Sequence, residues 1–394
     1  MLPTIQSLKS AVQEELNSLL HYWENHSIDD KNGGFIGQID YNEIKKYDSE
    51  KGAVLNARIL WTFSAAYPFT NNPNHLVLAE RAFRYIDTYF YDTEYGGIFW
   101  SINPDGTPKD TKNQIYALAF TIYGLTEYYK ISKKEEVLQL AINLYHNIEK
   151  HSYDAENNGY FEAFTRDWQP IEDLRLSEKD ANEKKTMNTH LHIVEAYANL
   201  YEVWPDKTLK IRLINLLIVI DIYFINSQTF HLKLFFDENW IEKPDVISYG
   251  HDIEAAWLLH WCATVTKDKS LIEKYKDYAV AIANATKAGL DDDGGLWYEY
   301  DPKEDTLIAE KHWWPQAELW IGMVNAWQLT QDESYLTIAE ENFAFVQNHI
   351  IDKKNGEWFW GVTSDYSKIE KDKAGFWKCP YHNGRACIEL IKRL

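Results

Sequence analysis

Residues 248 to 254 read Ser-Tyr-Gly-His-Asp-Ile-Glu, which sets an imidazole, His251, and a carboxylate, Glu254, three positions apart. On a helix that spacing projects both groups from one face, about a turn apart, so a base and an acid can serve one substrate. The face is polar only at its start, because Ala255, Leu258 and Leu259 continue it as an apolar stripe. The ionisable pair therefore belongs where a helix opens, and free N–H groups with partial positive charge there disfavour imidazolium. A neutral His251 in that place would be a general base. The plainer alternative is a histidine capping its own helix, with Glu254 in the first turn.

Composition limits the partners of such a pair. The 394 residues carry a net charge of −20, which opposes both a nucleic-acid backbone and an anionic membrane surface. The first twenty residues lack a secretory apolar region, and the longest apolar run, 213 to 225, holds Asp221 and is too short to span a bilayer. Three cysteines, Cys262, Cys379 and Cys387, lack metal-ligand spacing, so reduced thiols in the cytoplasm are expected. The 16 tryptophans suit either a sugar cleft or a Trp-rich helical core.

The elements that position the pair come from a repeat. A Gly-aromatic phrase recurs as Lys-Asn-Gly-Gly-Phe (31–35), Glu-Tyr-Gly-Gly-Ile-Phe (94–99), Asn-Asn-Gly-Tyr-Phe (157–161), Asp-Gly-Gly-Leu-Trp (293–297) and Lys-Asn-Gly-Glu-Trp-Phe (354–359). Aligning Gly34, Gly97, Gly159, Gly295 and Gly356 gives intervals of 63, 62, 136 and 61, and the double interval leaves room for a degenerate copy at 230–236. Each phrase is followed by two helical patterns split by a polar break. The expected pairs are 52–67 with 74–91, 113–130 with 133–150, 187–204 with 206–226, 249–266 with 268–288, and 313–330 with 332–350. The last helix, from 381, pairs with the first, 4–25.

Six helical hairpins whose first and last helices complete each other predict an all-α, (α/α)6 barrel of about twelve helices. An open solenoid is the alternative. No linker interrupts the chain, so residues 1–394 read as a single catalytic domain. Residues 166–185, charged and aperiodic, read as a long loop on the rim. Asp291, Asp292 and Asp293, before a Gly-Gly turn, read as a solvated loop and not a metal site.

The repeat also groups the candidate residues. The helix after each Gly-aromatic turn opens with polar or aromatic side chains: Asn56 and Arg58, Asn113 and Tyr116, Asn188 and His192, His251 and Glu254, Trp313 and Trp314, Tyr381 and His382. If these helices form the inner ring, the residues meet at one mouth. His190 and His192 point to different faces, and His192 is favoured because it shares a face with Asn188. Trp313 and Trp314 point apart, so one of them is expected in the core. Imidazoles, amides and indoles suit a neutral polyol bound by stacking and hydrogen bonds, with proton transfer by histidine. Abstraction beside a sugar carbonyl needs no redox cofactor, and Arg58 can hold the enediolate charge.

Four stretches carry a resemblance: Lys-Gly-Ala-Val-Leu-Asn-Ala-Arg (51–58), Tyr-Gly-His-Asp-Ile-Glu (249–254), His-Trp-Trp-Pro-Gln-Ala-Glu (312–318) and Lys-Cys-Pro-Tyr-His-Asn-Gly-Arg (378–385). Together they resemble the cellobiose 2-epimerases of the N-acylglucosamine 2-epimerase superfamily, whose fold is the (α/α)6 barrel. The resemblance implies epimerisation at C2 of the reducing-end glucose of β-1,4-linked disaccharides, cellobiose to glucosyl-mannose and lactose to epilactose, without a cofactor. It further implies that His251 and His382 are the acid/base pair and that Glu254 orients or tunes His251. Arg58, Asn188 and His192 would contact the open-chain sugar. Trp314 and Trp377 would be stacking platforms, with Tyr116 and Trp313 nearby. No role passes to Gly384 or Arg385.

Other readings stay open at this point. Within the superfamily, an N-acylglucosamine 2-epimerase or a mannose-type aldose-ketose isomerase would share the histidines. A glycoside hydrolase would use a carboxylate pair such as Glu254 with Glu318. A sugar-binding protein would perform no reaction, and a metal-dependent isomerase could recruit His192, His251 and His382 as ligands. A monomer acting on a small disaccharide, with no nucleic-acid or membrane partner, is favoured.

Overall fold

The helices fall into two kinds by the distribution of their apolar residues. One set, exemplified by Ala53–Thr70 and Trp313–Thr330, is buried around nearly its whole circumference over the first three turns. The other, exemplified by Glu135–His151, buries one stripe and exposes the opposite face. A helix apolar all round needs neighbours on every side, whereas an amphipathic one covers an edge, so the two kinds sort into an inner and an outer layer.

The computed structural model describes residues 5–244 and 246–394; residue 4, where the first helix is predicted to begin, lies outside them. Among the described residues are twelve α-helices. The inner ring is α2 (Ala53–Thr70), α4 (Ile115–Ser132), α6 (Met187–Val203), α8 (Tyr249–Thr266), α10 (Trp313–Thr330) and α12 (Tyr381–Arg393). Each packs on the next, and α12 returns to α2. The outer layer is α1 (Ile5–His26), α3 (Pro73–Tyr85), α5 (Glu135–His151), α7 (Lys207–Val219), α9 (Lys269–Thr286) and α11 (Glu333–His349), with α1 packed on α12. The fold is the expected (α/α)6 barrel and not an open solenoid. Counting the π-helical turns Ile86–Phe90 and Ile220–Phe224 and the 3-10 turn Lys287–Gly289, every helix boundary lies within three residues of expectation.

The two ends of the barrel are built differently. Tight links join inner to outer helices where Asn71, Lys133, Lys267 and Gln331 turn the chain with left-handed φ of 49° to 60°. At α3, α7, α9 and α11, an Asn or Asp caps the outer helix by accepting a backbone N–H. The opposite end carries the Gly-aromatic turns, and there the same isolated β-bridge recurs in all six units: Ile28 with Phe35, Tyr91 with Ile98, Tyr153 with Tyr160, Ile225 with Leu232, Leu290 with Leu296, and Ile351 with Trp358. The degenerate fourth copy thus keeps the geometry, with Phe230 at φ 62°. In the sixth copy the residue before the bridge is Glu357, at φ 61°, so the alignment on Gly356 is out by one.

Short antiparallel strands lead into five of the inner helices at this end, as at Ile247–Ser248 before α8 and Glu310–His312 before α10. They fix where each inner helix begins. The turns are themselves pinned by ion pairs between buried lysines and aspartates, Lys51 with Asp29, Lys185 with Asp154, and Lys373 with Asp352. Lys311 reaches both Asp291 and Asp293, so that acidic run is an anchored turn and not the solvated loop expected.

Candidate active site

Because the inner helices all open at the end that carries the turns, their first residues converge. A cavity of about 330 Å³ lies there, within the range of small-molecule sites. Ten of the residues singled out from the sequence line it: Arg58, Tyr116, Asn188, His192, His251, Glu254, Trp313, Trp314, Trp377 and His382. Asn56, Asn113 and Tyr381, grouped with them by the repeat, instead bond to backbone or to Glu195 outside it. The wall also holds residues the sequence left out, among them Tyr298, His312, Trp360 and Lys371. Leu176, Ser177, Lys179 and Asp180 line it too, so the 166–185 loop contributes to the cavity and does not merely skirt its rim.

Two imidazoles flank one indole. The Trp314 ring lies 4.8 Å from His251 and 5.6 Å from His382, centroid to centroid. His251 Nδ1 is 2.8 Å from Ser248 Oγ, and His382 Nδ1 is 2.6 Å from Glu318 Oε1. A carboxylate accepts, so His382 carries its proton on Nδ1 and leaves Nε2 as the free lone pair; Ser248 allows His251 the same assignment. Burial lowers the pKa of both rings. For His251 the neighbouring acids Glu254 and Asp252 partly oppose that, whereas for His382 the cations Arg58 and Arg385 add to it, so His382 lies further below the ordinary value. Desolvation, rather than the helix dipole invoked from sequence, is the main cause.

Of the two expected ways for Glu254 to act on His251, orienting it or tuning it, the geometry leaves the second. Glu254 Oε1 accepts from Arg385 Nη2 at 2.6 Å, while Ser248 occupies His251 Nδ1. Glu254 reaches His251 through charge alone. The reason is tertiary: Arg385 stands on α12, and its guanidinium attracts a buried carboxylate more strongly than a neutral ring does.

Arg58 is buried, its guanidinium 4.1 Å from the Phe120 ring centroid and its Nη2 donating to Tyr116 Oη at 2.8 Å. Arg58 Nε, Asn188 Oδ1, and the indole nitrogens of Trp313 and Trp360 are buried without a protein partner among the described residues. Unsatisfied donors and acceptors around one cavity await a polar ligand. Trp313 packs in the core, as expected of one of the two, and Trp314 is half-buried; both also reach the cavity. His190 is structural: its Nε2 accepts from the Tyr160 N–H at 2.9 Å, and it does not line the cavity.

Two alternatives lose their footing here. The metal-ligating atoms that converge among the described residues belong to Glu254, Glu318 and His382, within 4.8 Å of one another, and not to the three histidines. Arg385 Nη2 already sits 2.6 Å from both of those carboxylates, filling the cation position. Glu318, the second acid of the hydrolase reading, is fully buried and outside the cavity wall, so it cannot flank a scissile bond with Glu254.

Comparison with known proteins agrees with this fold. A family model described as N-acylglucosamine 2-epimerase (GlcNAc 2-epimerase) matches residues 33–386. The chain is 48% identical to a cellobiose 2-epimerase of Bacteroides fragilis, over 98% of each chain. The solved cellobiose 2-epimerase of Bacillus thermoamylovorans superposes with a TM-score of 0.93 at 38% identity, covering 98% of this chain and 100% of that one. An N-acylglucosamine 2-epimerase of Rattus norvegicus is similar at 21% identity, over 99% of this chain and 92% of its own length.

Proposed function

The chain belongs to the N-acylglucosamine 2-epimerase family, and on that premise we propose that it inverts C2 of the reducing-end glucose in β-1,4-linked disaccharides. Cellobiose would give glucosyl-mannose, and lactose would give epilactose. The observation that carries this reading is the pair of imidazoles, half-buried His251 and buried His382, set about one indole in a cavity that also holds Arg58.

The chemistry follows from what each group has free. The sugar ring opens with a proton delivered to O5 and one removed from O1. The Nε2 lone pair of one histidine then takes the C2 proton, and the electron pair passes into an enediolate whose charge spreads onto O1 and O2. Arg58, fixed by Tyr116 and with Nε unsatisfied, is placed to hold that charge. A second histidine that enters the step with its Nε2 protonated delivers that proton to the opposite face of C2, which completes inversion, and the ring closes again. Trp314 and Trp377 supply flat faces for the sugar, and Asn188 and His192 supply polar contacts. Inversion needs a donor on each face, which a single imidazole on one side does not supply unless the intermediate turns.

Incubation with cellobiose tests the reading. An isomeric disaccharide of unchanged mass is expected; free glucose would mean hydrolysis, and no product would leave a binding protein. In deuterated water the epimer should carry solvent deuterium at C2. Full-rate formation of product with its original hydrogen would replace the two-histidine scheme by a shielded one-base shuttle or a hydride shift. Parallel assays on lactose, N-acetylglucosamine and mannose rank the substrates.

A further inference from the structure

Arg385, to which the sequence assigned nothing, sits at the centre of a buried charge cluster in the barrel. Its Nη1 donates to Glu195 Oε1 at 2.6 Å, and its Nη2 donates at 2.6 Å to both Glu254 Oε1 and Glu318 Oε1. Nη1 also meets Tyr381 Oη, which in turn donates to Glu195 Oε1 at 2.8 Å. All three glutamates are buried. Two of them each hold a cavity histidine by Nδ1: Glu318 Oε1 holds His382 at 2.6 Å, and Glu195 Oε2 holds His192 at 2.8 Å. One guanidinium therefore links three carboxylates from α6, α8 and α10 to two imidazoles.

We infer that Arg385 is a positioning residue that sets the tautomers of His382 and His192 by keeping their carboxylate partners ionised. The sense of each hydrogen bond depends on that charge. An ionised Glu318 only accepts, so His382 must place its proton on Nδ1 and present Nε2 to the cavity as a base. A protonated Glu318 would donate to Nδ1 instead, and Nε2 would then carry the hydrogen and accept nothing. Burial alone would drive this second state, because three carboxylates so close together in a water-poor interior do not all stay charged without a cation. Burial raises the pKa of Glu318 and Glu195, and Arg385 is the first opposing influence on each. The other titratable groups facing the cluster include Arg58 from α2, Tyr116 and Tyr123 from α4, His251 and Cys262 from α8, and Cys379 just before α12. Arg58 is the only other cation in that set, and its Nη2 donates to Tyr116 rather than to a carboxylate.

The role rests on the proposed function only for its consequence in catalysis; the tautomers can be read without substrate. In the ¹⁵N-labelled protein at pH 7, the ring nitrogens of His382 and His192 should show Nδ1–H and a bare Nε2. If either ring shows Nε2–H in the wild type, the inference is overturned whether or not any variant folds. Arg385→Gln should shift His382 toward Nε2–H and move the acidic limb of the kcat–pH profile upward by about one unit or more, because Glu318 must then ionise unaided. Arg385→Lys retains a point charge, so it should keep both tautomers and the position of the limb while lowering kcat. A purely structural arginine would instead lower the thermal midpoint in both variants and leave tautomers and limb unmoved, which would also overturn the role. Wild-type protein with the expected tautomers but no epimer from cellobiose would count against the proposed function and leave this inference standing.

Discussion

His251 and His382 are the same side chain set beside the same indole, the first half-buried and the second buried, yet the charges that lead around each differ in sign. His251 leans on a neutral hydroxyl, Ser248, and its charged neighbours are the acids Glu254, Asp252, Asp180 and Glu318. His382 leans on a carboxylate, and the charges acting on it are led by Arg58, with Arg385 also pressing its pKa down. The difference teaches that, on the proposed mechanism, inversion at one carbon would be served by an asymmetric pair. Burial lowers both rings, and it is opposed by acids at His251 but reinforced by Arg58 and Arg385 at His382, which a carboxylate also aims.

The strongest way to break this comparison is to remove each ring. His251→Ala and His382→Ala should each lower kcat by up to about 10⁴-fold, the upper range for general acid–base catalysis. Each is also expected to lose deuterium incorporation from one epimer, and retained activity in either variant would show that the pair does not act as a pair. Arg58→Lys comes next. A point charge does not reproduce the planar fork, so kcat should fall about 10²-fold with a smaller change in KM. Near-normal turnover would remove Arg58 from the site.

Smaller changes sharpen the contrast between the two sides. Glu318→Gln keeps an acceptor for His382 Nδ1 but removes its charge, and a fall of about 10-fold in kcat is expected, as for removal of one charge-assisted hydrogen bond. Ser248→Ala removes only a neutral hydroxyl, so a fall of a few-fold, about 1 kcal/mol, is expected. A larger loss at Ser248 than at Glu318 would reverse the ranking of the two imidazoles. A separate effect concerns pH and the fold. His190 and His192 have pKa values lowered to about 3 by burial. The unfolded chain therefore binds protons that the native one refuses, and stability present above about pH 6.5 is lost as pH falls below it. Urea unfolding at pH 7 and pH 5 should show a loss on the order of 2 kcal/mol per such ring.

Much of this was legible before any coordinates, and the limits are instructive. The barrel was readable because each unit repeats one turn, and a turn is a local object: Gly34, Gly97 and Gly159 all adopt left-handed φ there. The mouth was readable because a closed ring turns equivalent positions in sequence into neighbours in space. Arg385 was not readable. Its partners Glu195 and Glu318 lie 190 and 67 residues away, and only the packing of α6 and α10 about α12 brings them within reach. The same holds for Glu254, whose i, i+3 spacing suggested a local partner that a distant guanidinium displaced. The contribution of Leu176 to Asp180 was hidden for another reason, since an aperiodic loop has no pattern from which its path can be inferred.

The position of α12 has a further consequence, for how the molecule comes into being. This helix closes the ring between α10 and α2, and it also carries Tyr381, His382 and Arg385. During synthesis it emerges after the other eleven described helices, so the proton-handling centre cannot exist while the barrel is still open. Arrival of the last helix brings Arg385 among Glu195, Glu254 and Glu318. On the proposed mechanism it also supplies His382, so a chain lacking α12 is expected to be inactive.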